Sequence, residues 1–535
     1  MEKRFLLATI LSVLILALWT AFFPHSRPGA PQPSLLQHAD NNILANKSTT
    51  FLSDALPSPV PVSRPSEAKI ETIETPKFVV EFSNIGGTLR KVFLKEYNLT
   101  LPVRGMGGAP EYDHVEFVLE RAGALDILYR YDAPDLTIQR LYTVSGDDYT
   151  IETQTTIQNK INMSKLITWK AQGVVLDMSN LDKEHGGLAQ DRALFEYVIS
   201  SASGIERKSN AFKFTEKERK DMPGRVFWSA FRSRYFCAIT KPLYETDGYA
   251  LNYLSNNELQ INVRAAAVNI SPGASLSFSS LIFVGPEKSD LLAKYKSGFE
   301  EIKRYYRITL FDAIAKIIDS ILHGIHKVLP NWGVAIILVS ILIYLIMYPL
   351  TLRSMVSMRK MQELQPKIVA LREKYRDNPQ KMSTETMELY KKYQINPLGG
   401  CLPMLLQMPV FIGLYQVLWR SVSFKGAHFL WIKDLSEPDR VAVLPFSLPF
   451  IGNEINLLPI LMIFVMAIQQ KLTAKNMGGM DPAQMAQQKM MAVIMPVFLG
   501  AIFYHFASGL TLYFTLFYAF STIAQWKMSK IHTVT

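Results

Sequence analysis

The side chains best placed to do chemistry in this 535-residue sequence are polar groups inside long apolar runs. Ser340 and Tyr344 are four residues apart, which puts them one turn apart on the same face of a helix. Later runs contain Gln407, Gln416 and Gln469. Hydroxyl and amide groups act mainly through hydrogen bonds, so this pattern indicates a polar surface at membrane depth, where polar residues are costly and often functional. The alternative is that these groups simply join neighbouring helices.

Sequence patterns typical of enzymes are weak or absent. Ser357-Met-Arg-Lys360 fits the S-x-x-K pattern, but Ser66-Glu-Ala-Lys69 fits it too, which indicates chance matches. No G-x-x-x-x-G-K-[ST] stretch is present to bind nucleotide phosphates. His323 and His326 are three residues apart without a third ligand nearby. The sequence therefore predicts a protein that is not an enzyme and has no cofactor or metal.

Six apolar runs would position the polar residues, and each is long enough, alone or with its flanks, to cross about 30 Å of hydrocarbon as a helix. The sequence therefore predicts a polytopic α-helical membrane bundle with six spans in total. The six runs are Phe5 to Phe23, Val334 to Leu350, Cys401 to Trp419, Ile455 to Gln469, Met490 to Phe506 and Leu510 to Trp526.

The charges between the runs predict one topology under the positive-inside rule. Lys3 and Arg4 place the N-terminus in the cytoplasm. Residues 353–392 carry ten Lys or Arg against five acids and belong inside, whereas residues 423–455 carry three basic residues against four acids and fit outside. Lysines after the last run place the C-terminus inside as well. The net charge of +11 is concentrated in the cytoplasmic segments, so an anionic bilayer is the simplest partner and no specific nucleic-acid sequence is expected.

The first run, residues 1–23, is predicted to be an uncleaved membrane anchor. Bulky residues and a proline stand where small residues would favour cleavage, namely Trp19, Phe22, Phe23 and Pro24. A cleaved signal peptide is the alternative. Cys237 is predicted outside the membrane and Cys401 at its inner face, so the two thiols cannot pair.

The segment between the first two runs divides into a linker, an all-β domain and helices. Residues 24–76 are rich in Pro, Ser, Asn and Ala and predict a flexible linker. Residues 77–290 show short alternating strands, as in Thr150 to Ile157, and predict a β-sandwich. Residues 291–330 predict helices outside the membrane, the first of them from Leu291 to Arg307.

The second of these helices is predicted to be amphipathic. Its apolar face follows a spacing of three and four residues and consists of Phe311, Ile314, Ala315, Ile318, Ile321, Leu322, Ile325 and Val328. Asp312, Lys316, Asp319, His323 and Lys327 would face away from it. Because this helix adjoins the second run, we expect it to lie on the outer membrane surface; a core helix of the sandwich is the alternative.

Residues 352–395 are predicted to form a cytoplasmic helical hairpin inside a core of residues 331–530. Its two helices would span Leu352 to Tyr375 and Gln380 to Tyr393, with a turn at Asp377-Asn378-Pro379. Methionines give it an adaptable apolar stripe that could contact partners or simply pack the two helices together. The candidate contact residues of the hairpin are Met355, Met358, Met361, Arg372 and Lys374.

Six short motifs at predicted membrane edges resemble those of the YidC/Oxa/Alb family of membrane-protein insertases, in its Gram-negative YidC form. They are Met347-Tyr-Pro-Leu-Thr351, Asn396-Pro-Leu-Gly-Gly-Cys-Leu-Pro403, Gln407-Met-Pro409, Asp481-Pro482 with Gln487-Gln-Lys489, Met495-Pro496 and Ser508-Gly-Leu510. The motifs cover about residues 305 to 530, and the remainder of the chain matches by layout only.

The resemblance implies an energy-independent insertase and chaperone of the bacterial inner membrane. Client segments would pass from the cytoplasm through a polar groove that is open to lipid and closed toward the outside. The resemblance also implies a periplasmic supersandwich domain, nascent membrane proteins as clients, the Sec translocon and its accessory subunits as partners, and contact of the hairpin with substrates or the ribosome.

The chain departs from the family at the position of the groove arginine, where it has Tyr344. Its groove would therefore be polar but nearly neutral. Ser340 and Phe514 match substrate-contact positions of the family. The complete set of candidate groove residues is Ser340, Tyr344, Gln407, Gln416, Gln469, Tyr513 and Phe514.

Two other classes of function fit the sequence less well. A secondary transporter would need inverted repeats and buried ionisable groups, and the second to sixth runs contain no acid in their interiors. A carbohydrate-binding sandwich would need paired carboxylates or an aromatic cluster, and no specific pattern of that kind stands out. The insertase therefore remains the favoured prediction.

Overall fold

The structure, a computed structural model, describes residues 68–177, 195–209, 220–255, 258–376, 378–395, 402–448, 452–475 and 482–531. The chain divides into residues 1–63 and residues 64–535, and every described residue belongs to the second unit. The predicted anchor, and the predicted linker as far as residue 67, lie outside the described residues.

The first part of the described chain is almost entirely β-structure. Its strands are β1 (Ile70–Glu74), β2 (Phe78–Ser83), β3 (Thr88–Leu94), β4 (Leu99–Leu101), β5 (Val103–Arg104), β6 (Val118–Ala122), β7 (Asp126–Asp132), β8 (Leu136–Val144), β9 (Thr150–Asn159), β10 (Lys165–Ile167), β11 (Lys170–Asp177), β12 (Glu196–Ser201), β13 (Gly204–Ser209), β14 (Lys220–Pro223), β15 (Val226–Arg232), β16 (Phe236–Pro242), β17 (Thr246–Ser255), β18 (Glu258–Ala265), β19 (Val268–Ile270) and β20 (Ser275–Pro286).

These strands form the predicted all-β domain. The largest sheet has nine strands in the order β13-β12-β15-β16-β20-β9-β8-β7-β6, and a five-stranded sheet has the order β14-β17-β18-β11-β5. A four-stranded sheet joins β1 to β4 in sequence order. In β9 buried and more exposed residues alternate, because successive side chains point to opposite faces of a strand. One cluster of buried apolar side chains joins the three sheets.

Two sequence predictions need correction here. The predicted linker is too long, because Ile70–Glu74 already forms β1 and pairs with β2. The single helix predicted from Leu291 to Arg307 is also wrong. The chain instead forms α1 (Ser289–Ala293) and a 3-10 turn (Phe299–Ile302), since Lys296 and Gly298 between them have positive φ angles that end a helix.

The remaining helices are α2 (Thr309–Val328), α3 (Trp332–Glu363), α4 (Gln365–Lys374), α5 (Pro379–Lys392), α6 (Leu402–Arg420), α7 (Leu457–Lys475), α8 (Pro482–Phe503) and α9 (Ser508–Ile531). A hairpin of β21 (Ala442–Leu448) and β22 (Gly452–Ile455) connects α6 to α7. Helix α9 packs against α7, α3 and α6, while α8 packs against α7. Helix α2 packs across α6 and α3.

One helix in the described part of the chain, over residues 332–357, is both long and apolar enough to cross a membrane. Leu457–Leu472 and Val493–Phe503 are shorter apolar stretches. The helix of the second predicted span does not end at Leu350, because it continues through Pro349 to Glu363. The first half of the predicted hairpin is therefore an extension of α3, followed by the separate helix α4.

Helix α2 is amphipathic, as its spacing predicts, although the buried set differs. Ala315, Ile318 and Leu322 are buried, whereas Val328 is exposed. Asp319 was predicted to face away from the apolar side, and this prediction is wrong because Asp319 is buried. A buried carboxylate needs a counter-charge, and Lys303 provides one.

Candidate functional site

Two polar contacts between helices lie at the same depth in the bundle. The Tyr344 hydroxyl donates to the Phe520 carbonyl oxygen at 3.1 Å, and the Gln469 side-chain amide donates to the Ser521 hydroxyl at 2.9 Å. Tyr344, Gln469 and Phe520 are each twelve residues after the first residue of their helix. That spacing corresponds to about 18 Å along the helix axis. Counted from the ends predicted to face outside, these contacts lie past the middle of a layer about 30 Å thick.

A third polar contact also ends on α9. The side-chain amide of Gln407 on α6 donates to the hydroxyl of buried Tyr513 at 2.5 Å. Phe514, next in sequence, packs its ring against Phe411 and Phe503 at centroid distances of 5.2 and 4.7 Å. Helix α9 is therefore the common element that receives polar contacts from α3, α6 and α7.

Two of the predicted groove residues do not join these contacts. Ser340 is only 2% exposed and donates to the Ile336 carbonyl oxygen of its own helix at 2.6 Å. Gln416 is buried near the opposite end of α6 from Gln407, and its amide contacts the Tyr306 hydroxyl at 3.4 Å. Tyr306 precedes α2, which is predicted to lie at the outer membrane surface. Gln416 therefore lies in the half of the bundle that is predicted to be nearer the outside.

The outer half of the bundle is closely packed. Its buried apolar cluster takes residues from the predicted outer parts of α3, α6, α7 and α9, together with α2 and the loop after α6. The central members are Ala315, Ile318, Leu322, Ala335, Ile336, Val339, Leu414, Val417, Leu418, Phe424, Leu435, Leu458, Met462, Leu510 and Tyr513. A Cβ atom on Gly413 would lie 3.3 Å from the backbone nitrogen of Ala315, so the close approach of α6 to α2 depends on this glycine.

The inner half of the bundle is more open where the structure describes its side chains. Leu345 and Tyr348 on α3 are exposed, as are Leu405, Leu406 and Met408 on α6. The polar residues Tyr344, Gln407 and Gln469 lie beside this exposed surface and are themselves only partly buried. This half of the bundle therefore combines hydrogen-bonding groups with incomplete packing.

A buried ionic junction connects the β-domain to the outer end of the bundle. Arg232 makes two hydrogen bonds to the Glu287 carboxylate, at 2.8 and 2.9 Å, and a longer one of 3.4 Å to Glu196. Arg232 and Arg420, the last residue of α6, both donate to the Arg304 carbonyl oxygen, at 3.1 and 3.2 Å. Burial disfavours the charge of Arg232, but Glu287 and Glu196 outweigh that effect and raise its pKa.

A second ionic group attaches α2 to the same junction. Lys303 contacts the Asp319 carboxylate at 2.9 Å, and His323 contacts it at 3.3 Å and the Ser423 hydroxyl at 3.3 Å. Burial raises the pKa of Asp319, but the hydrogen bond from His323 and the charge of Lys303 outweigh burial and lower the pKa to about 2. Burial likewise lowers the pKa of His323, and the hydrogen bond and charge of Asp319 raise it above its usual value.

The ionic junction was missed by reasoning from the sequence. The spacing of Asp319 and His323, four residues apart, was the one available signal for an ion pair on α2. Nothing local to Arg232 or Glu287 indicates that they meet, because they lie on strands and loops far apart in sequence. Among the described residues, no group of three His, Cys, Asp or Glu side chains is arranged to bind a metal.

The helices α4 and α5, which correspond to the predicted cytoplasmic hairpin, share little internal core. Neither helix contains a fully buried residue among the side chains described there, and Lys367 of α4 contacts the hydroxyl of Tyr393 after α5. Asn378 caps α5 by accepting a hydrogen bond from the Lys381 backbone at 3.0 Å. The predicted contact residues Met355, Met361 and Arg372 are partly buried and Lys374 is exposed, while the side chain of Met358 lies outside the description.

Comparison with known proteins gives matches over both parts of the chain. The family model described as 60Kd inner membrane protein matches residues 324–534, and the model described as YidC periplasmic domain matches residues 113–318. The chain is 30% identical to the membrane protein insertase YidC of Geobacter metallireducens, covering 99% of this chain and 98% of that protein. It is 32% identical to the protein of the same name from Pelobacter propionicus, covering 96% and 97%.

Solved structures give weaker similarities. A crystal structure of an active YidC insertase with its first transmembrane domain resolved covers 88% of this chain and 94% of its own, at 18% identity and a TM-score of 0.37. A galactose mutarotase related enzyme from Lactobacillus acidophilus covers 40% of this chain and 97% of its own, at 10% identity and a TM-score of 0.31. Scores this low support no statement about function.

Proposed function

The chain belongs to the YidC family of membrane protein insertases, and we propose that client segments enter the bilayer through the inner half of its helical bundle. The protein is a membrane protein insertase of the inner membrane with a periplasmic all-β domain. The observation that supports the proposed route is the difference between the two halves of the bundle. The outer half is closely packed, whereas the inner half is open and carries Tyr344, Gln407 and Gln469.

The energetics of insertion favour such a route. A Leu-like residue gains roughly 0.3 to 0.6 kcal/mol at the centre of a membrane helix, while an Asp, Lys or Arg costs about 2.5 to 3.5 kcal/mol there. Insertion of an apolar segment is therefore favourable, and the barrier comes from its polar flanks. Hydrogen-bonding groups that extend partway across the bilayer lower this barrier without nucleotide hydrolysis.

The proposed groove is smaller than the set of residues expected from the sequence. Tyr344, Gln407 and Gln469 are its candidate polar residues, and Ser521, which is bonded to Gln469, belongs with them. Tyr513 and Phe514 would form its outer limit, since Tyr513 is buried and Phe514 packs among aromatic rings. Ser340 supports the wall of the groove from within α3.

The proposed topology has six spans with both termini in the cytoplasm. The anchor of residues 1–23 and helices α3, α6, α7, α8 and α9 would cross the membrane, and α2 would lie at its outer surface. The ten basic residues of residues 353–392 would place α4 and α5 in the cytoplasm. There the hairpin is suited to receive clients or the ribosome, and the Sec translocon is a proposed partner of the assembled protein.

Site-specific photocrosslinking tests the proposed route. A benzophenone amino acid at Tyr344 keeps an aromatic ring in place, and we expect it to crosslink to a nascent single-span client during insertion. The matched control is the same probe at Ile346, which is 66% exposed on α3. Equal crosslinking at both positions would contradict the groove. Insertion of the client into vesicles containing only this protein would show whether the translocon is required.

A further inference from the structure

The hairpin of β21 and β22 has an apolar surface that no other described element covers. Val443 and Phe446 are 63% and 57% exposed, and Val441 is exposed beside them. Residues 442–453 contain no charged side chain. A two-stranded hairpin is marginally stable in water, so an exposed apolar hairpin of this kind calls for an apolar partner.

The base of the hairpin is fixed firmly to the outer end of the bundle. Arg440 forms an ion pair with Glu454 at 2.9 Å across the base. The Tyr504 hydroxyl, just after α8, donates to the Glu454 carbonyl oxygen at 2.7 Å, and Asn456 donates to the Tyr504 carbonyl oxygen at 2.8 Å. Asp439 accepts hydrogen bonds from the first two backbone amides of α7, both at 2.9 Å. The position of the hairpin relative to α7 and α8 is therefore set by its base.

The pattern of exposure indicates what covers the hairpin. Val441, Ala442 and Val443 are consecutive and all exposed. Because side chains alternate between the two faces of a strand, both faces are uncovered. A protein groove or a second copy would cover one face, whereas lipid can surround both.

The surroundings of the hairpin fit the boundary between lipid and water. Trp431 lies beside the base with its ring partly exposed, and its indole nitrogen donates to Asp439 at 3.1 Å. Tryptophan is enriched at membrane interfaces, where one part of the side chain is apolar and another is hydrogen-bonded. Lys433 is exposed on the same loop and can face lipid phosphates.

We propose that the β21–β22 hairpin inserts its exposed apolar side chains, such as Val443 and Phe446, into the outer leaflet of the inner membrane and anchors the outer end of α7. The proposal rests on the proposed topology, in which α6 and α7 cross the membrane. The hairpin has open edges with unpaired backbone groups, which do not occur in the hydrocarbon interior. These side chains therefore lie at the boundary between headgroups and acyl chains, roughly 5 to 10 Å deep.

The experiment places one environment-sensitive fluorophore on a cysteine of the full-length protein, in a Cys237→Ala, Cys401→Ser background reconstituted into lipid vesicles. Phe446→Cys tests the hairpin. Val118→Cys is the matched control, because Val118 is also an exposed apolar strand residue, 68% exposed, but lies on edge strand β6 of the periplasmic domain. Phe464→Cys on α7 tests the topology itself, since Phe464 is 63% exposed and would face lipid.

We expect the probe at residue 446 to be severalfold brighter than the probe at residue 118. It should be quenched by lipids brominated near the headgroup more strongly than by lipids brominated near the chain end, with the reverse order at residue 464. If brominated lipids quench the probe at residue 464 but not the probe at residue 446, the hairpin is not inserted in lipid. The proposed topology would remain valid in that case. Loss of quenching at both positions would overturn the topology. If the probe at residue 446 is bright only at high protein-to-lipid ratios and dims when the protein is diluted in lipid, a second copy of the protein covers the hairpin. That outcome would contradict insertion into lipid.

Discussion

The outer and inner halves of the bundle are built from the same helices, but they differ in how completely their side chains are buried and paired. In the outer half, apolar residues of α2, α3, α6, α7 and α9 are buried together, and charges such as Arg232 and Asp319 are paired. In the inner half, Tyr344 and Gln469 donate hydrogen bonds to α9 beside exposed apolar residues. One end of the bundle is thus closely packed, and the other leaves polar and apolar side chains partly exposed.

This difference locates where stability and function should be sensitive to mutation. Substitutions in the outer region should lower the free energy of unfolding, because they leave charges unpaired or disturb packing. Substitutions in the inner half should change insertion with smaller effects on stability.

Arg232→Met should cause the largest loss of stability. It leaves Glu287 and Glu196 buried without their main counter-charge, and breaking a buried ion pair in this way costs about 3 to 5 kcal/mol. Urea unfolding of the full-length protein in detergent, followed by tryptophan fluorescence to which buried Trp228 of the β-domain contributes, measures the change. The control is Arg264→Met, whose partners Asp221 and Asp247 are exposed, and here we expect a loss of about 1 kcal/mol or less. Equal losses would show that the junction is not a closed ionic core.

Gly413→Leu should separate α6 from α2 in the closed half. The added side chain meets the backbone of Ala315, which cannot move aside as a flexible side chain can. Forcing extra atoms into packed structure costs about 1 to 3 kcal/mol. Thermal unfolding in detergent measures this loss. Ala467→Leu on α7 is the control, because Ala467 is exposed and should accept the larger side chain. If both variants unfold at the wild-type temperature, the outer half is not closely packed at Gly413.

Gln469→Met should reduce insertion more than it reduces stability. The change keeps the size of the side chain but removes the hydrogen bond to Ser521. In the proposed groove, the Gln469 amide also forms one hydrogen bond to the polar flank of a client, worth about 0.5 to 1.5 kcal/mol. Losing that bond raises the barrier to insertion by this amount, so the insertion rate should fall about two- to tenfold. The measurement is insertion of a single-span client into vesicles containing the purified variant.

Gln416→Met is the matched control for that experiment. It removes the same chemical group from the closed outer half, where Gln416 contacts Tyr306. Insertion should remain at the wild-type rate. A similar decrease in both variants would mean that the two halves do not differ in function.

The sequence predicts the elements of this fold better than their contacts. Alternation in Thr150–Asn159 and the apolar runs depend on local periodicity, so the β-domain and the bundle could be predicted from them. The end of α3 could not, because Pro349 and the basic residues after it are typical of a helix end, while the helix continues to Glu363. The closed outer half likewise depends on contacts between distant residues such as Arg232 and Glu287, which no local pattern reveals.

The candidate site shows the same limit. The sequence shows which polar side chains are unusual in apolar helices, namely Tyr344, Gln407, Gln416 and Gln469. Which half of the bundle each one occupies depends on helix direction and packing. Gln416 and Gln407 lie on the same helix, yet the first contacts a residue before α2 and the second contacts α9.

The smallest predicted effect is a pH dependence of the closed region through His323. Its pKa is raised in the folded protein, so the stabilisation from its charge is fully present below the unfolded value of about 6.5 and is lost as the pH rises through the folded value. The groups facing it are Asp319, Lys303 and His326. Asp319 stays charged throughout this range, because its pKa in the folded protein is lowered to about 2. The stability that its charge contributes is lost only as the pH falls toward that value. Thermal stability should therefore decrease modestly as the pH rises above about 6.5.

His323→Gln should remove this decrease while keeping a side chain able to reach Ser423. His326→Gln should retain it, because His326 stacks on Trp332 at 3.8 Å and burial, followed by the nearby charge of His323, lowers the pKa of His326. The sign for His326 is therefore opposite, since a group with a lowered folded pKa loses stability as the pH falls. A decrease that persists unchanged in His323→Gln would assign the pH dependence to groups outside the junction, and the closed half would then be held by packing and by ion pairs that do not titrate in this range.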